Sequence, residues 1–191
     1  MKKVGFALVL ALGACASAMS ATVDMPVDAD VTASQFNSVA SQYMERPTFV
    51  SVQKYPSGEV VMTIKRDDYG GKDRYGRDAA TNVWFDVAGA KVILESIAKY
   101  REWNEQAKRE RDIFVKEIAK TQTVKGGAVE AGFASGNADR HFLTLSFCAF
   151  GTCLSEDALF FTEEEVDDLE ALLNDFVGGK VQPENVSSKY N

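Results

Sequence analysis

The chain offers few residues from which a catalytic site could be assembled. It contains one histidine, His141, so a Ser-His-Asp or Cys-His mechanism could use only this imidazole, and no G-x-S-x-G motif accompanies it. The sequence also lacks H-E-x-x-H, a Walker phosphate loop and G-x-G-x-x-G. Paired carboxylates remain available as an acid and a base. We therefore expect no catalytic residue that the sequence can name, and no cofactor.

Two of the three cysteines, Cys148 and Cys153, have the spacing C-x4-C. Residues 149–152 would form the loop of a hairpin that carries both thiols on one side. An even pair of cysteines in an exported protein favours a disulfide over a redox or metal site. Zinc needs about four ligands, and His141 is the only further soft ligand, so we expect a disulfide and no metal. Such a bond would fix the shape of the loop around Phe150.

Residues 1–21 have the three parts of a secretory signal. Lys2 and Lys3 form the positive region, Val4–Leu12 the apolar region, and small residues follow. The apolar run is too short to cross a bilayer as a retained helix. Small residues at two successive sites, ending at Ala18 and at Ala21, suit cleavage by signal peptidase. The segment predicts a protein that leaves the cytoplasm for the periplasm.

The third cysteine, Cys15, lies in the stretch Leu12-Gly13-Ala14-Cys15. This stretch resembles the lipobox of bacterial lipoproteins, in which the cysteine is lipidated and becomes the first residue. The resemblance covers four residues, and Ala16 in the next position implies the outer membrane. A soluble periplasmic protein and a lipoprotein anchored through Cys15 both stay open.

The chain is acidic, with a formal net charge of −7. Removal of the signal, which carries two lysines and no acidic residue, takes the charge to about −9. Nucleic acid and anionic lipid surfaces attract basic patches, so neither is an expected partner. Nine acidic residues and no basic one lie between Glu156 and Asp175. They form either a docking face for a basic partner or a solvated helix face.

The longest stretch without a pattern runs from Arg66 to Ala80. A loop this long inside a compact domain is either functional or mobile. A binding loop would use its tyrosines as rigid contacts and its arginines as anchors, and the candidates are Tyr69, Arg74, Tyr75 and Arg77. Calcium binding is a second interpretation, through Asp67, Asp68, Asp73 and Asp78, although the interleaved basic residues oppose a cation. A solvated turn is the third.

Two helices are predicted with their caps. Asp86 caps a helix from Val87 to about Glu110, and Thr162 with Glu165 forms a capping box for a helix from Glu163 to Phe176. Apolar residues of the two helices coincide when Phe85 is aligned with Phe161. The coinciding pairs are Ala90 with Val166, Ile93 with Leu169, Ile97 with Leu173, and Tyr100 with Phe176. We interpret this as a duplicated strand–strand–strand–helix (βββα) unit.

The remaining segments complete an α+β fold. Residues 22–31 read as a tether, and residues 32–43 as a short helix, because Phe36, Val39, Ala40 and Tyr43 share one helical face. Two hairpins are expected, in residues 48–65 and 128–150, with a strand following each of them. Residues 113–124 could extend the first long helix or form a strand.

We therefore predict a signal at residues 1–21, a single α+β domain at 22–181 and a disordered tail at 182–191. The domain would hold a mainly antiparallel sheet of about six strands and two principal helices, packed on one sheet face. Its two βββα repeats would cover residues 45–112 and 113–181.

Export, the lack of an assembled catalytic set and two constrained loops together predict a non-enzymatic envelope protein that binds another protein. Inhibitor, exclusion and accessory roles all fit this prediction. The C-x4-C loop is similar in spacing to a loop that some periplasmic lysozyme inhibitors present, over six residues only. The alternatives are a periplasmic hydrolase that uses paired carboxylates and a small-ligand binder. The best contact candidates are Tyr69, Arg74, Tyr75, Arg77 and Phe150.

Overall fold

The structure is a computed structural model that describes residues 24–72, 76, 78–124, 126–153 and 158–183. The signal, Cys15 and residues 184–191 of the expected tail lie outside the described residues. The described chain is α+β, and its elements are β1 (Met25–Val27), β2 (Ala33–Asn37), β3 (Gln42–Arg46), β4 (Thr48–Lys54), β5 (Val60–Lys72), β6 (Asp78–Asp86), α1 (Val87–Glu110), β7 (Val115–Gln122), β8 (Ala128–Asn137), β9 (Arg140–Ala149), β10 (Thr152–Cys153), β11 (Leu159–Phe161) and α2 (Glu163–Val177).

The strands form two antiparallel sheets, so the single sheet of about six strands is wrong. The four-stranded sheet has the order β1-β4-β5-β6. The seven-stranded sheet has the order β3-β2-β11-β9-β8-β7, and β10 pairs with the end of β9. Strands from the first fifty residues therefore belong to both sheets, which sequence patterns along the chain do not reveal.

Both long helices begin at the residues that the sequence predicts. The Asp86 side chain accepts a hydrogen bond from the backbone N–H of Gly89 (2.8 Å) and caps α1. Thr162 and Glu165 exchange the two hydrogen bonds of a capping box at the start of α2. Helix α1 ends at Arg111, whose φ of 58° is left-handed. Residues 113–124 therefore do not continue the helix, and most of them form β7.

The two helices and both sheets share one hydrophobic core in the described part of the chain. All eight of the aligned helix residues are buried. On the far half of α1, Asn104 is buried while Trp103 is only half-buried. Trp103 instead packs edge-on against Phe114 and Phe133, with ring centroids 6.1 Å apart in each pair.

The duplicated unit is not confirmed. Each helix does follow a strand through a capping residue, and Phe85 and Phe161 are both fully buried. The preceding strands differ, however, since β5 and β6 have 13 and 9 residues whereas β11 has three. The seven-stranded sheet also incorporates β2 and β3, for which the four-stranded sheet has no counterpart.

The predicted helix at residues 32–43 is wrong, because this segment is the β2–β3 hairpin. The Asn37 side chain accepts hydrogen bonds from the N–H groups of Val39 and Ala40, and so stabilises a turn where the helix would have continued. Val39 is 95% exposed, so the apparent helical face does not exist. The predicted tether is also corrected in part, since Met25–Val27 pairs with β4.

The expected loop at residues 66–80 is largely strand. Strand β5 continues to Lys72 and β6 begins at Asp78. Arg66, the first residue of this stretch, is held within the sheet, because its side chain is fully buried. Its guanidinium donates to the carbonyl oxygens of Ser34 and Ala158 (2.8 and 2.7 Å) and thus ties the four-stranded sheet to the seven-stranded one.

Candidate functional site

The first candidate site is the turn between β9 and β10. Cys148 and Cys153 face each other directly in the antiparallel register, and their sulfur atoms lie at disulfide-bonding distance, as the C-x4-C spacing predicts. Ala149 pairs with Thr152, which leaves Phe150 and Gly151 as a two-residue turn. The disulfide therefore closes the hairpin one residue pair below its tip.

Phe150 is the most exposed large apolar residue of the described chain, with 108% relative exposure. Its φ is 51° and that of Gly151 is 82°, the two successive positive angles typical of a type I′ turn. Asn-Gly is the preferred sequence for such a turn, because a bulky residue is strained in the left-handed region. The chain thus places a phenylalanine where local stability favours a small polar residue.

The base of this hairpin is packed firmly. The ring of Phe147 lies against Trp84 with centroids 4.2 Å apart, and Trp84 Nε1 donates to Thr123 Oγ1 (3.1 Å). A Cβ atom on Gly127 would lie only 2.6 Å from the carbonyl oxygen of Cys148. Close packing below the disulfide fixes the direction in which Phe150 points.

The second predicted contact region, residues 66–80, lies only partly within the described residues. Arg74, Tyr75 and Arg77 lie outside the described residues. Tyr69 is half-buried, with the Arg46 guanidinium 3.9 Å above its ring, and its backbone N–H donates to Gln35 (2.7 Å). Tyr69 therefore packs against the β2–β3 hairpin rather than projecting as a free contact.

The calcium interpretation gains no support from the aspartates whose side chains are described. Asp68 is paired with Arg66 and accepts a hydrogen bond from Thr81 (2.8 Å). Asp67 is paired with Lys65 (3.0 Å). Both carboxylates thus have cationic side chains as neighbours, and these oppose a calcium ion.

A polar cleft of about 380 Å³ is the second candidate site. It lies between the C-terminal turns of α1, the N-terminus of α2 and the β8–β9 turn. Asn104 and His141 are both buried beneath it, at 2% and 3% exposure, and His141 Nδ1 lies 3.0 Å from Asn104 Oδ1. Glu163, which also lines the cleft, accepts a hydrogen bond from Lys108 Nζ (2.5 Å). Polar contacts therefore link α1 both to β9 and to α2.

The electrostatics of this cleft do not favour acid catalysis. Lys108 lowers the pKa of Glu163, whereas a general acid needs a raised one. Burial raises the pKa of Glu165, but this carboxyl group is engaged in the capping box and accepts a hydrogen bond from Ser34 Oγ (3.2 Å). Burial, together with the charge of Lys108, lowers the pKa of His141. The imidazole is therefore neutral at neutral pH.

The sequence alone does not connect His141 to Asn104, Lys108 or Glu163. A weak signal was present, because Asn104 falls on the apolar stripe of α1, where a polar residue needs a partner. Two acidic residues of the run between Glu156 and Asp175 have a basic neighbour on α1. Arg101 of α1 pairs with Asp167 and Glu170 (2.6 and 2.7 Å), so part of that charge is neutralised within the chain.

No helix among the described residues is long and apolar enough to cross a membrane. Comparisons of the chain with protein-family models, with curated proteins and with solved structures find no match. Functional inference for this α+β protein therefore depends on the geometry of its two candidate sites.

Proposed function

We propose that this chain is an exported, non-enzymatic envelope protein that binds another protein, with Phe150 at the centre of the contact. The observation that carries the proposal is a fully exposed phenylalanine at a positive φ, on the tip of a disulfide-closed turn. Strained backbone that persists in a folded protein is often associated with function.

The energetics of the turn support this assignment. A left-handed backbone costs a non-glycine residue about 1–2 kcal/mol. Burial of a phenylalanine side chain contributes about 1.5–3 kcal/mol, which an exposed ring does not gain. Exposure of 108% means that nothing in the described chain covers this ring. A partner with an apolar pocket would bury the ring, and the free energy of that burial would then stabilise the complex. Aromatic residues are enriched in interface cores.

The rigidity of the hairpin supports the same conclusion. Ordering a flexible loop on association weakens binding, and a preformed loop avoids much of that loss. The disulfide and the Phe147–Trp84 packing hold the Phe150 turn in place before any partner arrives. The contact is therefore of the preorganised kind that inhibitors, exclusion proteins and accessory subunits share.

The location and partner class follow from the sequence. Residues 1–21 support export to the periplasm, and Cys15 supports an anchor at the outer membrane if it is lipidated. A binding protein in that compartment would meet other envelope proteins. The acidic surface makes nucleic acid an unsuitable partner.

Photo-crosslinking in the native envelope tests the proposal. A photoreactive amino acid at position 150 should capture one discrete protein. The matched control is position 39, because Val39 is also an exposed apolar residue at a turn, but on the β2–β3 hairpin. Equal capture at both positions, or none at position 150 in a folded and exported protein, would contradict the proposal.

A small-ligand binder is the second candidate, supported by the buried Asn104 and His141 beneath the polar cleft. Native mass spectrometry of protein isolated from the envelope would detect a retained small molecule. Lys108→Ala should release it, since Lys108 lines the cleft, whereas Arg101→Ala on the same helix should not. Protein without any bound species would leave the Phe150 contact as the supported function.

A further inference from the structure

The contact between Glu130 and Cys153 plays no part in the proposed binding. Glu130 Oε2 lies 2.9 Å from Cys153 Sγ and 3.0 Å from Lys120 Nζ. A disulfide sulfur carries no hydrogen, so in the oxidised pair the carboxylate oxygen faces sulfur lone pairs rather than a donor. A reduced Cys153 has an S–H group that can donate to Glu130. The carboxylate is thus positioned to suit the dithiol form better than the disulfide.

The two sulfur atoms also differ in access. Cys148 is buried, with 3% relative exposure, whereas Cys153 is only partly buried. A thiolate from solvent therefore reaches Cys153 more readily than Cys148.

We propose that Cys148–Cys153 is a thiol–disulfide exchange site for thiol-bearing molecules, and that Glu130 stabilises its dithiol form. A thiolate attacks Cys153 Sγ, forms a mixed disulfide there and breaks the bond to Cys148, which leaves as a thiolate and is protonated by water. A second thiolate attacks the bound external sulfur and releases Cys153, which is protonated and donates to Glu130. The protein gains two electrons and two protons, and two external thiols become one disulfide.

Lys120 offsets the negative charge of Glu130 beside the disulfide. A lone carboxylate would repel an incoming thiolate, and the ammonium 3.0 Å away offsets that repulsion. Lys120 also contacts Glu117, at 3.9 Å, on the same strand. Glu117 has no contact with either sulfur in the described structure, so it provides a matched control for Glu130. The inference does not depend on the identity of any partner of Phe150.

Equilibration of the folded protein in glutathione redox buffers tests the role of Glu130, with free thiols counted by maleimide labelling and mass spectrometry. Glu130→Gln should shift the equilibrium toward the disulfide about tenfold, because the charged acceptor of the dithiol form is replaced by a neutral amide oxygen, which accepts a weaker hydrogen bond. Glu117→Gln should remain within about twofold of the unaltered protein. An equal equilibrium for Glu130→Gln and the unaltered protein would overturn the role of Glu130.

A second measurement uses the unaltered protein and therefore does not depend on the folding of a variant. Brief exposure to reduced glutathione, acid quenching and peptide mapping should locate the glutathione adduct on Cys153. An adduct predominantly on Cys148 would overturn the assigned point of attack. A disulfide that stays intact in a large excess of reduced glutathione would overturn the exchange site itself.

Discussion

Arg66 and Asp68 form an ion pair of 2.7 Å in which only 1% and 12% of the two side chains are exposed. The guanidinium makes further hydrogen bonds to the carbonyl oxygens of Ser34 and Ala158. A buried charge of this kind is stable only when its hydrogen bonds are satisfied. Arg66 is therefore a structural link between the two sheets rather than part of a binding loop.

Replacing Arg66 should be strongly destabilising. Arg66→Met removes the cation and leaves Asp68 buried without its partner, so we expect the free energy of unfolding to fall by about 3–5 kcal/mol. Urea unfolding measures the change. The adjacent Lys65→Met removes an exposed ion pair with Asp67 and should cost less than about 1 kcal/mol. Similar losses for both variants would show that Arg66 is not the link described.

Replacing Phe150 should separate binding from stability. Phe150→Asn relieves the left-handed backbone, so we expect the free energy of unfolding to rise by about 0.5–1 kcal/mol while capture of the partner is lost. Chemical denaturation and affinity capture from envelope extracts measure the two effects.

The control for this variant is Phe49→Asn. Phe49 is a half-exposed aromatic residue within β4, where asparagine is disfavoured. This variant should lose stability and retain the partner. Undiminished capture by Phe150→Asn would refute the assigned contact.

Two neighbouring glycines in the β7–β8 turn should respond differently to alanine. Both have positive φ angles, 84° at Gly126 and 81° at Gly127. A Cβ at Gly126 meets nothing within 4 Å, so Gly126→Ala should cost only about 1 kcal/mol of backbone strain. Gly127→Ala adds a collision with the Cys148 carbonyl and the Phe147 ring, and should cost about 1–3 kcal/mol more. Equal melting temperatures of the two variants would show that the packing of Gly127 against Cys148 and Phe147 is loose.

Acidification should weaken the fold through His141. Its pKa in the folded protein lies below the ordinary value of 6.5, so the unfolded chain binds the proton more readily. Stability is complete above about pH 6.5 and falls as the pH decreases toward the folded pKa. His141→Asn should remove this slope, because the amide can still donate to Asn104 without titrating.

The titration of Glu165 also changes stability with pH, so its contribution must be separated from that of His141. Its pKa is raised from the ordinary value of 4.5, so it acts with the opposite sign and stability falls as the pH rises through the folded value. Denaturation curves are best compared in a Glu165→Gln background, which keeps a capping-box residue. An unchanged slope in His141→Asn would show that His141 is not the group responsible.

Local signals in the sequence were sufficient to predict the two long helices and the disulfide. Asp86 and Thr162 are recognisable as caps because their side chains act within three residues, and the C-x4-C spacing is equally local. Such interactions depend little on the rest of the chain, and the structure has all three.

The β2–β3 hairpin shows where that approach fails. The spacing of Phe36 and Tyr43 fits a helix, yet the two residues lie opposite each other in β2 and β3, and β2 pairs with β11 near the far end of the chain. Strand formation here follows from a distant partner, which no local pattern contains. The same reason explains Arg66, whose charged side chain in a polar stretch suggested a loop. The cleft was missed because Asn104, His141 and Glu163 come together only in the folded chain.

The pairing of Ser34 with Phe160 has a consequence for biosynthesis. Ser34 also bonds Glu165, 131 positions later, so the seven-stranded sheet closes only after residues 159–165 have been made. Contacts of such long sequence separation form slowly, because the intervening chain must first be brought to closure. A nascent chain with this topology stays open until its last strand emerges. A translocation channel can thread only an unfolded chain, so the late closure of the seven-stranded sheet suits the export proposed for this protein.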